Sequence, residues 1–278
     1  MTKRPIFLFV SILAVLFVVV LSVFLEQYEK TEPPEKSEIL LSSEVTVAVV
    51  EPKKAYSAKM AIILDDFGYN KKNLEAIKEI GVPMVLAILP NTPYAGQVAR
   101  FAKDNDLEII LHLPLEPENE TKYLEKDTIN AQMDEQKIEG IINMAFDAVP
   151  FAVGVSNHMG SKATADRSLM ALVFNDIKDR KVFFLDSFTS DNSVCKDVAE
   201  ETKVPYVRRD IFIDNKLDVD YIGKQLKKAE ERALKDKEVV VIGHDKSVTV
   251  SVLAVKIPLM KENGIKFVKL SDLVSELE

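Results

Sequence analysis

Three histidines occur in the 278-residue chain, and each sits among residues that could share its chemistry. His112 lies in LHLPLEP, His158 in GVSNHMGS and His244 in VIGHD. Two adjacent carboxylates, Asp65 and Asp66, stand in ILDDFG, and Asp186 closes FFLD. Neighbouring carboxylates repel unless a cation or a shared proton intervenes. A strand-ending turn with a helix cap accounts for one aspartate, and less readily for two. Two imidazoles and a carboxylate suit Zn2+ and equally Co2+, Ni2+, Mn2+ or Fe2+. Such a site polarises a carbonyl and lowers the pKa of water. A second carboxylate can then take a proton, and a separate histidine can give one to a leaving group.

The elements that must bring these residues together are read from periodicity. Short β-rich apolar runs are expected as strands at 60–64, 83–89, 107–113, 151–156, 182–185, 205–207, 239–242 and 265–268. Amphipathic runs are expected as helices at 72–80, 94–105, 134–148, 166–180, 193–201, 219–235 and 248–263, with a short one at 272–277. Strand–helix alternation of this kind implies a parallel sheet, as a closed or nearly closed barrel or an open doubly wound sheet, and continuous apolar strands imply burial on both faces. No G-x-G-x-x-G follows the first strand, so nothing supports a dinucleotide fold. The expected fold is α/β: a distorted parallel (β/α) barrel of about seven to eight strands, preceded by an N-terminal transmembrane helix. In such a barrel the strand C-termini share one face. Asp65, Asp66, Asn91, His112, Asn157, His158, Asp186, Asp210 and His244 all fall at or just past strand ends, so they are expected to converge.

The segment Pro5 to Leu25 is almost wholly apolar, with Lys3 and Arg4 before it and Glu26 and Glu29 after it. Its length suits a bilayer core, with a cleaved signal peptide as the alternative, and the flanking charge puts the body outside the cytoplasm. The expected organisation is an anchor at 1–25, a polar linker at 26–58 and one folded domain at 59–278. A β-branched run within 39–50 is a further candidate edge strand. The formal net charge is −8. That balance argues against a nucleic-acid partner and leaves a glycan open. The single cysteine, Cys195, excludes an intramolecular disulfide and a cysteine-rich zinc site, and reads as a structural thiol. Lys162, Arg208 and Arg209 read as solvated loop charges, with anion contact as the alternative.

ILDDFG, LHLPLEP, GVSNHMGS, FFLDSFTS and VIGHD, in this order, resemble the divergent polysaccharide deacetylase family, part of the superfamily of metal-dependent carbohydrate-esterase deacetylases with a distorted (β/α) barrel. The resemblance covers about residues 59–278. It implies Asp65 as catalytic base, Asp66 and His112 as metal ligands, His244 as general acid and Asp186 as the carboxylate that orients a catalytic partner. The better-known deacetylases carry H-x-x-x-H, and here the second position is Glu116, which reads as a supporting group, an alternative ligand or a solvated loop carboxylate. His158, from the next strand, is the natural replacement ligand. The superfamily's arginine motif is also missing near residue 157. Asn157 with Gly160 and Ser161 stands in its place, and these join Asn91 as expected substrate contacts. The resemblance implies a divalent transition metal, Zn2+ foremost, and removal of N- or O-acetyl groups from an extracytoplasmic glycan. The alternatives are a non-catalytic envelope module that binds glycan or protein, and another metal-dependent amidase or phosphoesterase.

Overall fold

The computed structural model of the chain describes residues 56–119 and 124–274. The expected anchor, the candidate strand within 39–50, nearly all of the linker and the last residues of the C-terminal helix lie outside these residues. Among the described residues, no helix is long and apolar enough to cross a membrane.

Among the described residues, nine strands form one parallel sheet: β1 (Ala58–Phe67), β2 (Val85–Ile88), β3 (Glu108–Leu115), β4 (Gly154–Met159), β5 (Phe183–Asp186), β6 (Tyr206–Arg208), β7 (Ile211–Phe212), β8 (Glu238–His244) and β9 (Ile265–Phe267). The helices are α1 (Leu74–Ile80), α2 (Ala95–Asp104), α3 (Glu135–Ala148), α4 (Arg167–Asp179), α5 (Cys195–Thr202), α6 (Val219–Asp236) and α7 (Ser247–Glu262). Strand order is β6-β5-β4-β3-β2-β1-β8-β7, with β9 paired to the start of β1. The sheet therefore curls into a half-barrel whose ring is unpaired between β6 and β7. Three helices begin where the sequence offers an aspartate cap: Asp134, Asp166 and Asp218 each accept a hydrogen bond from a first-turn N–H.

Two-residue alternation sorts the strand side chains into two cores. Met60, Ile62, Leu64, Leu86, Leu111, Phe184 and Val241 pack outward against the helices. Ala61, Ile63, Val85, Ala87, Ile110, Phe183, Leu185, Val240 and Ile242 pack together inside the curl. Leu270 joins this inner set, with Leu273 and Val274 packed on it. The C-terminal turn is pinned there by Glu108, which accepts from the backbone of Leu270 (2.8 Å) and Ser271 (3.2 Å).

The expected strands and the helices up to α7 are present with shifted ends, the C-terminal helix expected at 272–277 shows within the described residues only a 3-10 turn at Leu270–Asp272, and β7 is an addition. Its cause is the chain's path after β6. Arg209 N–H still donates to Asp186 O (3.0 Å), on the β5 side. The next residue, Asp210, already pairs with Val240 of β8, donating from its N–H (2.9 Å) and accepting at Oδ2 (2.8 Å). The chain thus crosses the gap in two residues without a helix. Asp210, expected at the mouth, is spent on this crossing and on an ion pair with Arg232 at 2.6 Å.

The inner layer supports the face above it, so its packing is testable. Leu185 is fully buried. Leu185→Ala is expected to cost about 2–5 kcal/mol, read as a lowered urea midpoint. A cost below about 1 kcal/mol would show that the interior of the curl is not packed.

Candidate metal and catalytic site

The alternation that fills the inner core also builds the site. Following Ala61 and Ile63, Asp65 faces inward; following Ile110, so does His112; following Val240 and Ile242, so does His244. On β4, Val155 packs outward, which leaves Ser156 and His158 inward. Asp66 breaks the pattern. Leu64 and Phe67 both belong to the outer core, the β1–β2 register shifts between them, and Asp66 has φ +67°. This is a β-bulge, in which one extra residue re-aims a side chain. It turns Asp66 toward the mouth beside Asp65.

Three ligand atoms converge there. Asp66 Oδ1 lies 3.1 Å from His158 Nδ1 and 3.5 Å from His112 Nε2, and the two imidazole nitrogens are 3.3 Å apart. His112 Nδ1 meets Ser156 Oγ at 2.8 Å, across the paired positions of β3 and β4. That bond fixes the ring and leaves Nε2 for the site. A carboxylate oxygen and two imidazole nitrogens within 4.8 Å of one another fit a divalent transition metal, with coordination positions left over. Burial penalises the Asp66 charge, but hydrogen bonds from His112 and His158 outweigh it and hold the carboxyl well below the usual carboxylate range.

Asp65 flanks this set. It is 3% exposed, its Oδ2 lies 3.7 Å from His112 Nε2, and its Oδ1 has no hydrogen-bond partner among the described residues. Burial raises its pKa, against the opposing pull of His112.

His244 flanks it on the other side, paired with Asp65 in the β1–β8 register and with Nε2 3.9 Å from Asp66 Oδ2. Its Nδ1 is held by Asp214 Oδ1 at 2.9 Å. Asp214 Oδ2 accepts from His244 N–H (2.8 Å) and Thr249 Oγ (2.7 Å). Burial alone would lower the His244 pKa, but the Asp214 carboxylate raises it. Burial would raise the Asp214 pKa, but His244 and Thr249 lower it. The Phe212 ring packs against the imidazole at 5.1 Å.

The carboxylate that holds His244 is therefore Asp214, and Asp186, which the resemblance implied would orient a catalytic partner, makes no such bond. Asp186 points outward from β5 and accepts from Phe188 N–H (2.7 Å), Ser193 Oγ (2.7 Å) and Tyr206 OH (3.2 Å), organising the β5–α5 turn. Asp214 escaped notice because RRDIFIDN reads as a charged loop. Its signal was there: an apolar triplet followed by one aspartate, as in IILD and FFLD.

The expected substrate contacts lie around the rim with other engagements. Asn91 donates to Lys126 O at 2.9 Å. Asn157 is buried, donating to Met159 O (2.7 Å) and accepting from Ser187 N–H (2.8 Å). Ser161 Oγ accepts from Glu118 N–H at 2.9 Å. Gly160 has φ +87°, and a Cβ there would meet Leu115 Cβ at 2.9 Å, so the turn after His158 needs glycine. Glu116 is ion-paired to Lys162 at 2.8 Å and lies outside the converging donor set. Cys195 is buried and its thiol pKa is pushed up by that burial, as a structural thiol requires.

Comparison with known proteins adds kinship to this geometry. Residues 62–274 match the family described as divergent polysaccharide deacetylase. The uncharacterized protein YibQ of Escherichia coli is 34% identical over 220 residues, which is 79% of this chain and 68% of that one. The crystal structure of an uncharacterized protein from Agrobacterium tumefaciens matches at TM-score 0.73 and 20% identity, covering 80% of this chain and 91% of that one. The catalytic domain of a peptidoglycan N-acetylglucosamine deacetylase from Eubacterium rectale shares the fold at TM-score 0.51 and 14% identity, covering 76% and 88%.

Two outcomes follow from the geometry. One Zn2+ per chain is expected by competition with a chromophoric chelator, and His158→Ala should weaken it by about 100-fold or more. Unchanged affinity in that variant would remove His158 from the ligand set. In metal-free protein, His244 should titrate above the ordinary histidine value by NMR, and Asp214→Asn should bring it down. The linkage has two edges. The His244 contribution to stability is lost as pH rises through its raised pKa. The Asp214 contribution is lost as pH falls through its depressed one. A His244 pKa indifferent to Asp214→Asn would contradict the pairing.

Proposed function

This chain belongs to the divergent polysaccharide deacetylase family, and from that premise we propose that it is a metal-dependent hydrolase removing acetyl groups from a glycan. The observation that carries this reading is the Asp66–His112–His158 donor set, flanked by the buried Asp65 carboxylate and the Asp214-held imidazole of His244.

When bound, a divalent cation supplies Lewis acidity toward a carbonyl oxygen and toward water. Asp65 has a buried oxygen without a hydrogen-bond partner among the described residues and a raised pKa, which makes it a stronger proton acceptor than an exposed aspartate once ionised. It takes the proton from the attacking water. His244 carries a proton readily, because Asp214 stabilises the imidazolium and occupies Nδ1. Its Nε2, directed to the Asp66 side, gives that proton to the departing nitrogen or oxygen. Thr249 fixes Asp214 in turn.

The apolar run before the domain, with its preceding Lys3 and Arg4, supports a membrane-anchored placement with the site outside the cytoplasm. An envelope glycan is then the accessible substrate. The likeness in fold to a peptidoglycan N-acetylglucosamine deacetylase makes N-acetylglucosamine polymers the first to try. The N/O ligand chemistry favours Zn2+ among the borderline divalent metals.

The test is acetate release from chitooligosaccharides and peptidoglycan fragments by the Zn2+-loaded chain. Release is expected to stop with chelator, and His244→Ala should lower kcat by about 10²–10⁴-fold. No acetate from any acetylated glycan, with metal bound, would contradict the proposal.

A further inference from the structure

Arg209 was read from the sequence as a solvated loop charge, and the structure places it otherwise. Val207 belongs to the inner core, so two-residue alternation sends Arg209 inward too, one layer nearer the mouth. The side chain is half-buried and held on three sides. Nε donates to Ser187 O at 2.7 Å and Nη2 donates to Phe188 O at 2.9 Å. The guanidinium lies over the Phe212 ring at 4.9 Å, and that same ring packs on His244. A planar fork pinned by two carbonyls and a ring has little rotamer freedom left to lose on binding.

This arginine forms no ion pair with a carboxylate among the described residues, and neither carbonyl bond uses Nη1. Burial lowers its pKa, with Asp186 and Asp65 acting against that, so its charge is felt at the catalytic carboxylate. A guanidinium remains charged in such surroundings. Beside it, Ser187 is 2% exposed, and its hydroxyl has no hydrogen-bond partner among the described residues. A buried, unpartnered hydroxyl on the residue whose carbonyl anchors the arginine is an unmet polar demand at that spot.

We infer that Arg209, with Ser187 beside it, recognises a carboxylate on the substrate, so that the preferred glycan carries an acidic substituent close to its acetyl group. The alternative of a purely structural clamp does not need the inward aspect of the guanidinium or a spare Nη1. The inference takes the sugar from the glycan reading above, but it does not depend on turnover. Arg209 acts here as a specificity determinant, fixing which ring is presented to Asp65 and His244.

The test is equilibrium binding to the full chain, kept metal-free with chelator so that no hydrolysis intervenes. One probe is an N-acetylmuramyl disaccharide with its lactyl carboxylate free. The other is the same disaccharide with that carboxylate converted to a neutral amide. Arg209→Gln should weaken the acidic probe by about tenfold more than the neutral one, and Arg209→Lys should recover part of the difference. The preference in the wild type should also shrink as salt is raised. Equal weakening of both probes, or an acid-to-neutral ratio insensitive to variant and salt, would overturn the inference. If Arg209→Gln does not fold, Arg209→Lys and the salt series decide it alone. Acidic preference here, with no acetate released by the Zn2+-loaded chain in the glycan assay above, would spare this inference and sink the hydrolase. Acetate release without acidic preference would do the reverse. Binding of neither probe would count against both.

Discussion

In β1, Leu64 and Phe67 both pack outward, so the two residues between them are forced to face the mouth of the half-barrel together. Regular pleating would have hidden one of the two carboxylates among the helices. The bulge at Asp66, with its left-handed backbone, avoids that. Aspartate tolerates this backbone region better than most residues. The result is a local concentration of negative charge at a buried strand end, which the fold must answer. Part of the answer is visible: His112 and His158 donate toward Asp66, and His244 stands opposite. The remainder, an unpartnered oxygen on Asp65, is a demand that a water would meet.

The rest of the architecture supplies rigidity to that arrangement. Below the polar layer lies a dry one of Ile63, Ile110, Leu185 and Ile242, so the site side chains rest on packed hydrocarbon. Each histidine has a second tether: Ser156 for His112, Asp214 for His244 and the glycine-dependent turn after His158. Tethers of this kind fix tautomer and aim, which is what metal binding and proton transfer require. The gap between β6 and β7 also has a use. By crossing it in two residues, the chain brings Arg209, Phe212 and Asp214 into the mouth from one short segment.

Much of this was legible in the sequence, for reasons that can be located. Asp65, His112 and His244 each lie within or at the end of an apolar strand, and pleating then dictates which way they point. His158 as a replacement ligand was implied by the family resemblance, and its Nδ1 lies 3.1 Å from Asp66 Oδ1. The parallel strand–helix alternation gave the curled sheet. What was hidden depended on events of one or two residues. A two-residue strand has no periodicity to detect, so β7 and the Asp214 behind it were missed. Asp186 had the same local signature as Asp65, yet its side chain falls on the opposite face of its strand, and only the register of β5 decides that. Asn91 and Ser161 sit at the right end of the barrel, but their hydrogen bonds are committed to neighbouring loops.

The proposed chemistry requires Asp66, His112 and His158 to share one ion. The direct measurement is a crystal structure of Zn2+-loaded protein with anomalous data collected at the zinc edge. The prediction is one strong peak bonded to Asp66 Oδ1, His112 Nε2 and His158 Nδ1, with Asp65 outside the coordination sphere. A peak held by His112 and Glu116 without His158, or no peak at this mouth, would contradict it.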